Sequence, residues 1–410
     1  MSIAIVSLGT EVVRGELLNT NSQWLAEAIS DAGFEVSEMV SVADDRAQIA
    51  LCLRRLAEHN DAILCTGGLG PTTDDVTTDA VADLLGRELV LDEASLEQIR
   101  ERFRRAGRSM AASNEKQARF PAGARILSNP EGTAPGFALT IGRAEAYFMP
   151  GVPREMRAMF DKHIRGSLPR SHDDYVHQIR LNTFGLPESS VNDALEGIEA
   201  EHGIVLGYRA HFPEIQVKVL ARGRDKTTAE ARAQRAAEAV RERLGSAIVF
   251  SSGTTSLAAA VGDVLERRGL MLGLAESCTG GLVAQLITEN AGSSAYFAGC
   301  VVSYSNRVKH AILGVPEQLI ETCGAVSQPV AEAMAQGAHR VLNASVALAL
   351  TGVAGPSGGS EEKPVGTVHI AVFDGTALLH EKSFFPGTRQ QVQLRAAFKG
   401  LSLVRQLIGA

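Results

Sequence analysis

The chain has 410 residues, enough for two or three domains, and 45% hydrophobic residues, enough for sizeable cores. A net charge of −7, a pI of 5.9 and an aromatic content of 5% argue against a nucleic-acid binder, which needs a basic footprint and stacking platforms. No apolar run reaches the length of a membrane span, and Met1-Ser2-Ile3 has no basic region before its apolar stretch, so a strand is expected there and no signal peptide. Cys52, Cys65, Cys278, Cys300 and Cys323 show neither close pairing nor metal-ligand spacing, which predicts free thiols in a reducing cytoplasm.

The first strand, from Ile3, ends in the polar turn Gly9-Thr10-Glu11. Asn19-Thr20-Asn21-Ser22 then precedes a helix carrying Trp24, Leu25, Ala28 and Ile29. Asp44 and Asp45 read first as caps of a helix from Arg46 to Glu58 and second as site residues. A strand over Asp61–Cys65 runs into Thr66-Gly67-Gly68-Leu69-Gly70-Pro71-Thr72-Thr73-Asp74-Asp75. Gly67, Gly68 and Gly70 let backbone N–H groups approach a ligand closely. Asp74 and Asp75 stand where the helix Val76–Leu85 begins, and capping is their plain role. A phosphate at that terminus meets repulsion from both carboxylates, and a divalent cation removes the conflict. The basic run Arg102, Arg104, Arg105 and Arg108 shares a helix with Glu97 and Glu101 and an apolar stripe of Leu96, Ile99 and Phe103, so a solvated face is expected.

Residues 168–174, Leu168 to Asp174, read as a linker. Residues 175–250 read as a small α+β unit, with strands over 176–184, 204–210 and 215–222 and helices over 189–201 and 227–244. It has no G-x-x-G loop between its helices. Ser251 to Thr255 reads as a second junction, after which the helix Leu257–Arg268 begins.

The most informative stretch follows. An apolar strand, Leu270 to Ala275, runs into Glu276-Ser277-Cys278-Thr279-Gly280-Gly281 and then the helix Leu282–Thr288. A hydroxyl on such a turn is exposed at the sheet edge, beside N–H groups that stabilise anions. A helix cap is the plain alternative for Ser277 or Thr279. A second strand leads into Tyr304 and the helix carrying Lys309, and a third, Val346 to Leu350, into Thr351-Gly352-Val353-Ala354-Gly355-Pro356-Ser357-Gly358-Gly359. All three motifs fall at the strands' C-terminal ends, where open α/β sheets bind ligands. Serine needs a base, and none of these motifs contains a histidine. A lysine whose pKa is lowered by burial serves, directly or through a tyrosine hydroxyl; an exposed surface lysine is the alternative. Cys278 reads as buried packing, and Ser303 and Ser327 as hydrogen-bonding residues.

The block from Ala275 to Val368 resembles the C-terminal domain of the CinA family (competence/damage-inducible protein A), on AESCTGG, YSNRVK, GAVS, TGVAGPSGG and KPVGTV. Residues 1–165 resemble the family's N-terminal domain, related to molybdopterin-binding MoaB/MogA-like folds, on GTEVVRGELLNTNS, TGGLGPTTDD, NPEGTAPGF and PGVPREM. The resemblance implies two three-layer α/β domains, 1–170 and 251–410, joined by a small α+β KH-like domain, 171–250.

It also implies hydrolysis of the carboxamide of nicotinamide mononucleotide (NMN) to nicotinate mononucleotide and ammonia. Ser277 is then the nucleophile, with Lys309 drawing its proton through Tyr304. Thr279, Gly280 and Gly281 form the oxyanion or phosphate pocket, Thr351, Gly352, Gly355, Gly358 and Gly359 face the substrate, and Arg389 contacts phosphate. The family's G-D-R-x-x-V-R pattern reads Gly387-Thr388-Arg389-Gln390-Gln391-Val392-Gln393 here, so Gln393 replaces an arginine, which Arg395 is placed to substitute.

For the N-terminal domain the resemblance implies an ADP-ribose pyrophosphatase using Mg, Mn or Co, with potassium as a further ion. Its nucleotide site is Gly67, Gly68, Gly70, Thr72 and Asn21, and its metal ligands are Glu11, Asp74 and Asp75, with Glu155 a weaker candidate. No Nudix-type glutamate helix occurs before residue 170, so a nucleotide-binding regulator without turnover is the alternative. A cytoplasmic homodimer that needs no cofactor for deamidation is expected, with small nucleotides as partners and neither nucleic acid nor membrane.

Overall fold

A computed structural model describes residues 2–168 and 175–409, so most of the predicted linker at 168–174 lies outside the described residues. The chain divides into two compact units, Met1–Gln178 with Arg222–Glu230, and Ile179–Ala221 with Ala231–Ala410.

The first unit is built on a six-stranded sheet. Glu35–Val42, Ser2–Leu8, Ala62–Thr66 and Ala144–Met149 run parallel, and Gly136–Ile141 and Arg125–Leu127 add antiparallel strands at one edge. Ala62–Thr66 is buried along its whole length, as a central parallel strand covered on both faces must be. One core holds Leu53, Leu56 and Phe148 against helices Arg46–His59 and Thr77–Leu85. The other holds Leu25, Ile29 and Phe160 against Thr20–Asp31 and Pro153–Met159. This is the three-layer arrangement the alternating strands and helices predict.

Helix starts follow side-chain chemistry. Asn19 accepts from the Ser22 N–H at 3.1 Å, and Asp45 from the Gln48 N–H at 2.9 Å. Asp74 and Asp75 do not cap the following helix, which starts at Thr77 with no side-chain cap. Asp75 instead accepts from the Thr72 N–H at 2.8 Å, closing a turn inside the loop. Arg104 and Arg105 pair with Glu97 and Glu101, the expected solvated face. Arg102 departs from it, donating to the Asn129, Pro130 and Gly132 carbonyls.

In the second unit, Leu181, Val217, Val219, Ala233 and Val240 core the small α+β segment. The predicted single helix over 189–201 is two, Glu188–Ala194 and Ile198–His202, because the chain reverses at Gly197 with φ +86°. The predicted junction after residue 250 begins as a strand, Val249–Ser252, paired with Leu181–Thr183. Phe184 and Phe250 enter the C-terminal core, so this segment packs with the domain that follows it.

That domain carries a five-stranded sheet in the order Phe297–Val302, Leu272–Glu276, Val346–Gly352, Thr367–Phe373, Leu378–Phe384. The first three strands are parallel and the last two antiparallel. One face is covered by Leu257–Arg267 and the long helix Arg389–Leu407, the other by Gln328–Val341. Among the described residues no helix is long and apolar enough to cross a membrane.

Candidate active site

The three parallel strands end side by side, which brings together Ser277, the segment from Ser303 to Lys309, and the loop after Thr351. Ser277 and Lys309 are both buried, with Lys309 only 1% exposed. Lys309 Nζ stands 2.9 Å from Ser277 Oγ, 2.7 Å from the Ser303 carbonyl and 3.5 Å from the Tyr304 carbonyl. Burial holds the Lys309 pKa below its usual lysine value. The nearby Cys278 thiol opposes this weakly, because burial has pushed its own pKa up to about 12. Cys278 packs in the core as a neutral thiol.

The lysine therefore meets the serine directly. The relay expected through Tyr304 is not what the geometry draws. The Tyr304 side chain is 63% exposed, and its hydroxyl accepts from Arg389 Nη2 at 3.1 Å. Arg389 Nη1 donates to the Gly355 carbonyl at 2.8 Å. A guanidinium has five N–H groups, so this exposed arginine keeps donors for an anion at the mouth of the site.

The glycine turn is also used differently from expectation. Glu276 is fully buried, and its carboxylate accepts from the N–H groups of Gly281, Val283 and Ala284 at 2.9, 3.2 and 2.9 Å. The Gly280 N–H is taken by the Ser277 carbonyl at 3.2 Å. The anion site of this helix start is thus filled from within, and Gly280 and Gly281 supply shape rather than donors. Both have positive φ, +66° and +102°. Among the described residues, the Cys278 N–H faces its own thiol, while the Thr279 N–H and the buried Thr279 Oγ1 have no partner. These are the polar groups left for a ligand beside Ser277.

Gln393 donates to the Cys278 carbonyl at 2.7 Å, bracing the turn from the long C-terminal helix. Arg395 does not take over as a site cation: it donates to the Pro386 carbonyl at 2.8 Å and lies over the Phe212 ring. Thr351 Oγ1 donates to the Ala325 carbonyl, so it positions GAVS rather than presenting a free hydroxyl. Gly352 is required by packing, since a Cβ there would lie 2.7 Å from the Thr367 carbonyl. Gly358 and Gly359 are exposed on the loop, and Gly355 is buried beneath Arg389. Ser303 and Ser327 make hydrogen bonds within the fold.

In the N-terminal unit, the corresponding sheet edge opens into a cavity of about 410 Å³. Glu11, Asp44, Asp74, Asp75 and Glu155 line it together with Gly67, Gly68 and Gly70, and among the described residues no lysine or arginine does. Asp44 accepts from the Thr10 N–H at 2.8 Å and lines the cavity, so of its two expected roles it is the site role, and not the cap, that places it there. Two expected ligand residues make hydrogen bonds within the protein instead. Thr72 spends its N–H and hydroxyl on Asp75, and the Asn21 amide ties Thr66 to the Gly151 carbonyl. Neither lines the cavity. Lys116, which sequence reading passed over, anchors the glycine loop by donating to the Thr72 carbonyl at 3.1 Å and the Asp75 carbonyl.

A phosphate in so acidic a cavity needs cations, and carboxylates suit hard divalent ions, so the donor chemistry fits a metal–nucleotide ligand. Glu11, Asp74 and Asp75 line one space, yet among the described residues no three His, Cys, Asp or Glu converge as a preformed metal group.

These features define an α/β protein with a Ser–Lys site at one sheet edge and an acidic cavity at another. Residues 4–170 match the probable molybdopterin binding domain, 178–249 the damage-inducible protein CinA KH domain, and 254–408 the CinA C-terminal domain. A CinA-like protein from Anaeromyxobacter sp. (strain Fw109-5) is 43% identical over 99% of this chain and 98% of its own. Another from Geobacter sulfurreducens is 42% identical over 99% of both. The crystal structure of competence/damage inducible protein CihA from Agrobacterium tumefaciens aligns at 40% identity, covering 38% of this chain and 94% of that one, with a TM-score of 0.37. The chain belongs to the CinA family. Its N-terminal domain is of the probable molybdopterin-binding type, with a KH domain between it and the CinA C-terminal domain.

Proposed function

We propose that the C-terminal domain hydrolyses the carboxamide of NMN to nicotinate mononucleotide and ammonia. One observation carries this reading: a buried Lys309 Nζ 2.9 Å from Ser277 Oγ. As an amine, Lys309 keeps its two N–H bonds toward the Ser303 and Tyr304 carbonyls and turns its lone pair to the serine. It takes the Ser277 proton as Oγ adds to the carboxamide carbon. The Thr279 N–H receives the oxyanion. As the C–N bond breaks, the Lys309 ammonium returns the proton to the leaving nitrogen, which departs as ammonia. The same amine then deprotonates a water that attacks the ester, and Ser277 regains its proton from Lys309. Arg389 binds the phosphate at the mouth, and Tyr304 lines the approach.

For the N-terminal domain we propose metal-dependent hydrolysis of ADP-ribose. Glu11, Asp74 and Asp75 would hold a divalent cation there, Mg, Mn or Co, which when bound would neutralise the pyrophosphate charge. Potassium, homodimerisation and a cytoplasmic location belong to the same reading. A nucleotide-binding domain without turnover is distinguished by comparing ADP-ribose binding with AMP release.

The deciding assay is ammonia release from NMN, without added metal, by the wild type, Ser277→Ala and Cys278→Ala. Loss in Ser277→Ala alone supports the assignment; an inactive wild type removes it.

A further inference from the structure

The C-terminal helix Arg389–Leu407 has two working faces. Arg389 and Gln393, one turn apart, reach Gly355, Tyr304 and the Cys278 carbonyl. Arg395, Phe398 and Arg405 follow at i, i+3 and i+10 on another face, and each meets the small α+β segment. Arg395 lies 4.7 Å from the Phe212 ring centroid, Phe398 lies 5.6 Å from the Phe184 ring, and Arg405 donates to the Ser246 and Val249 carbonyls at 2.8 and 3.4 Å. The helix is therefore held between the KH-like segment and the catalytic turn.

Phe212 sits at the tip of the hairpin joining Ile204–His211 to Glu214–Gly223, and it remains 40% exposed. Such a ring contributes little to the core. What it does is flank the guanidinium of Arg395, whose Nη1 donates to the Pro386 carbonyl. Pro386 lies just before the helix start, where Thr388 and Gln391 form a reciprocal capping box and Arg389 begins the helix.

We propose that Phe212 and Arg395 are positioning residues for the C-terminal site. The hairpin tip restricts Arg395 to the rotamer that ties Pro386 to the helix, and this fixes where the Arg389 guanidinium emerges. The KH-like segment then serves as a brace for the phosphate end of the site, in place of nucleic-acid binding. A planar cation against an aromatic face is the interaction that would do this, and it survives Phe→Trp but not Phe→Ala.

The test uses the full chain as wild type, Phe212→Ala, Phe212→Trp and Arg395→Met. Hydrogen–deuterium exchange is followed across residues 386–393, and KM and kcat are measured for NMN. Phe212→Ala and Arg395→Met are expected to speed exchange in that segment and raise KM about three- to tenfold with kcat little changed, while Phe212→Trp restores both. Wild-type exchange across 386–393 in Phe212→Ala overturns the proposal, as does faster exchange spread evenly over the unit. The kinetic arm rests on the NMN reading. The exchange arm needs no substrate, so an inactive wild type would sink that reading without touching this one.

Discussion

Gln393 Nε2 donates to the Cys278 carbonyl at 2.7 Å, joining a position on the C-terminal helix to the turn that presents Ser277. The residue that departs from the expected arginine pattern is thus part of the site's frame. Gln393→Ala is expected to lower kcat/KM for NMN about three- to tenfold, the worth of one net hydrogen bond. Gln393→Glu should cost more, since a carboxylate faces a carbonyl. Steady-state kinetics on both variants checks the order.

Lys309→Met should abolish deamidation, a loss on the order of a hundredfold or more, with circular dichroism unchanged. For the wild type, burial lowers the Lys309 pKa, so the reactive amine grows in as pH rises. The kcat/KM profile should climb toward alkaline pH with a midpoint below the 10.5 of an ordinary lysine. A profile with no rise anywhere below pH 10.5 would take the lysine out of the base role.

Glu276→Gln should destabilise the C-terminal domain by about 2–3 kcal/mol, because an amide presents a donor toward N–H groups that a carboxylate now satisfies. A thermal scan resolving that domain's transition reads the loss. Unchanged melting would mean that water replaces the carboxylate.

His369 Nδ1 lies 3.0 Å from His380 Nε2. Burial, with His380, Lys382 and Lys363 nearby, lowers the His369 pKa from 6.5 to about 4. Between those values the unfolded chain takes up a proton that the folded chain refuses. The stability present above pH 6.5 is therefore lost as pH falls toward 4, below which both forms are protonated. His369→Asn should flatten melting temperature against pH across that window.

Chelation separates the two proposed activities. EDTA should stop ADP-ribose cleavage and leave NMN deamidation intact. Asp75→Asn should reduce cleavage at least tenfold, roughly, and weaken the Thr72 turn as well. Deamidation that falls with EDTA would require a metal in the C-terminal mechanism.

The sequence alone determined the alternating strands and helices of the two larger domains, the three motif-bearing strands and the family, because apolar runs, capping residues and glycine turns are local signals. The helix after Gly281 spans Leu282–Thr288 as read. It did not determine that Lys309 meets Ser277 without Tyr304, since side-chain direction depends on which neighbours bury it. Nor did it single out Glu276, because a glutamate beside a serine looks like any polar turn until three N–H groups are seen converging on it. Asn21 and Thr72 looked like ligand residues from their motifs; the fold uses the Asn21 amide N–H groups and the Thr72 N–H within the protein, while the buried Asn21 Oδ1 has no partner among the described residues. Lys116, Asp44 and Gln393 work through partners 41, 34 and 115 residues away, and only tertiary packing brings such partners together.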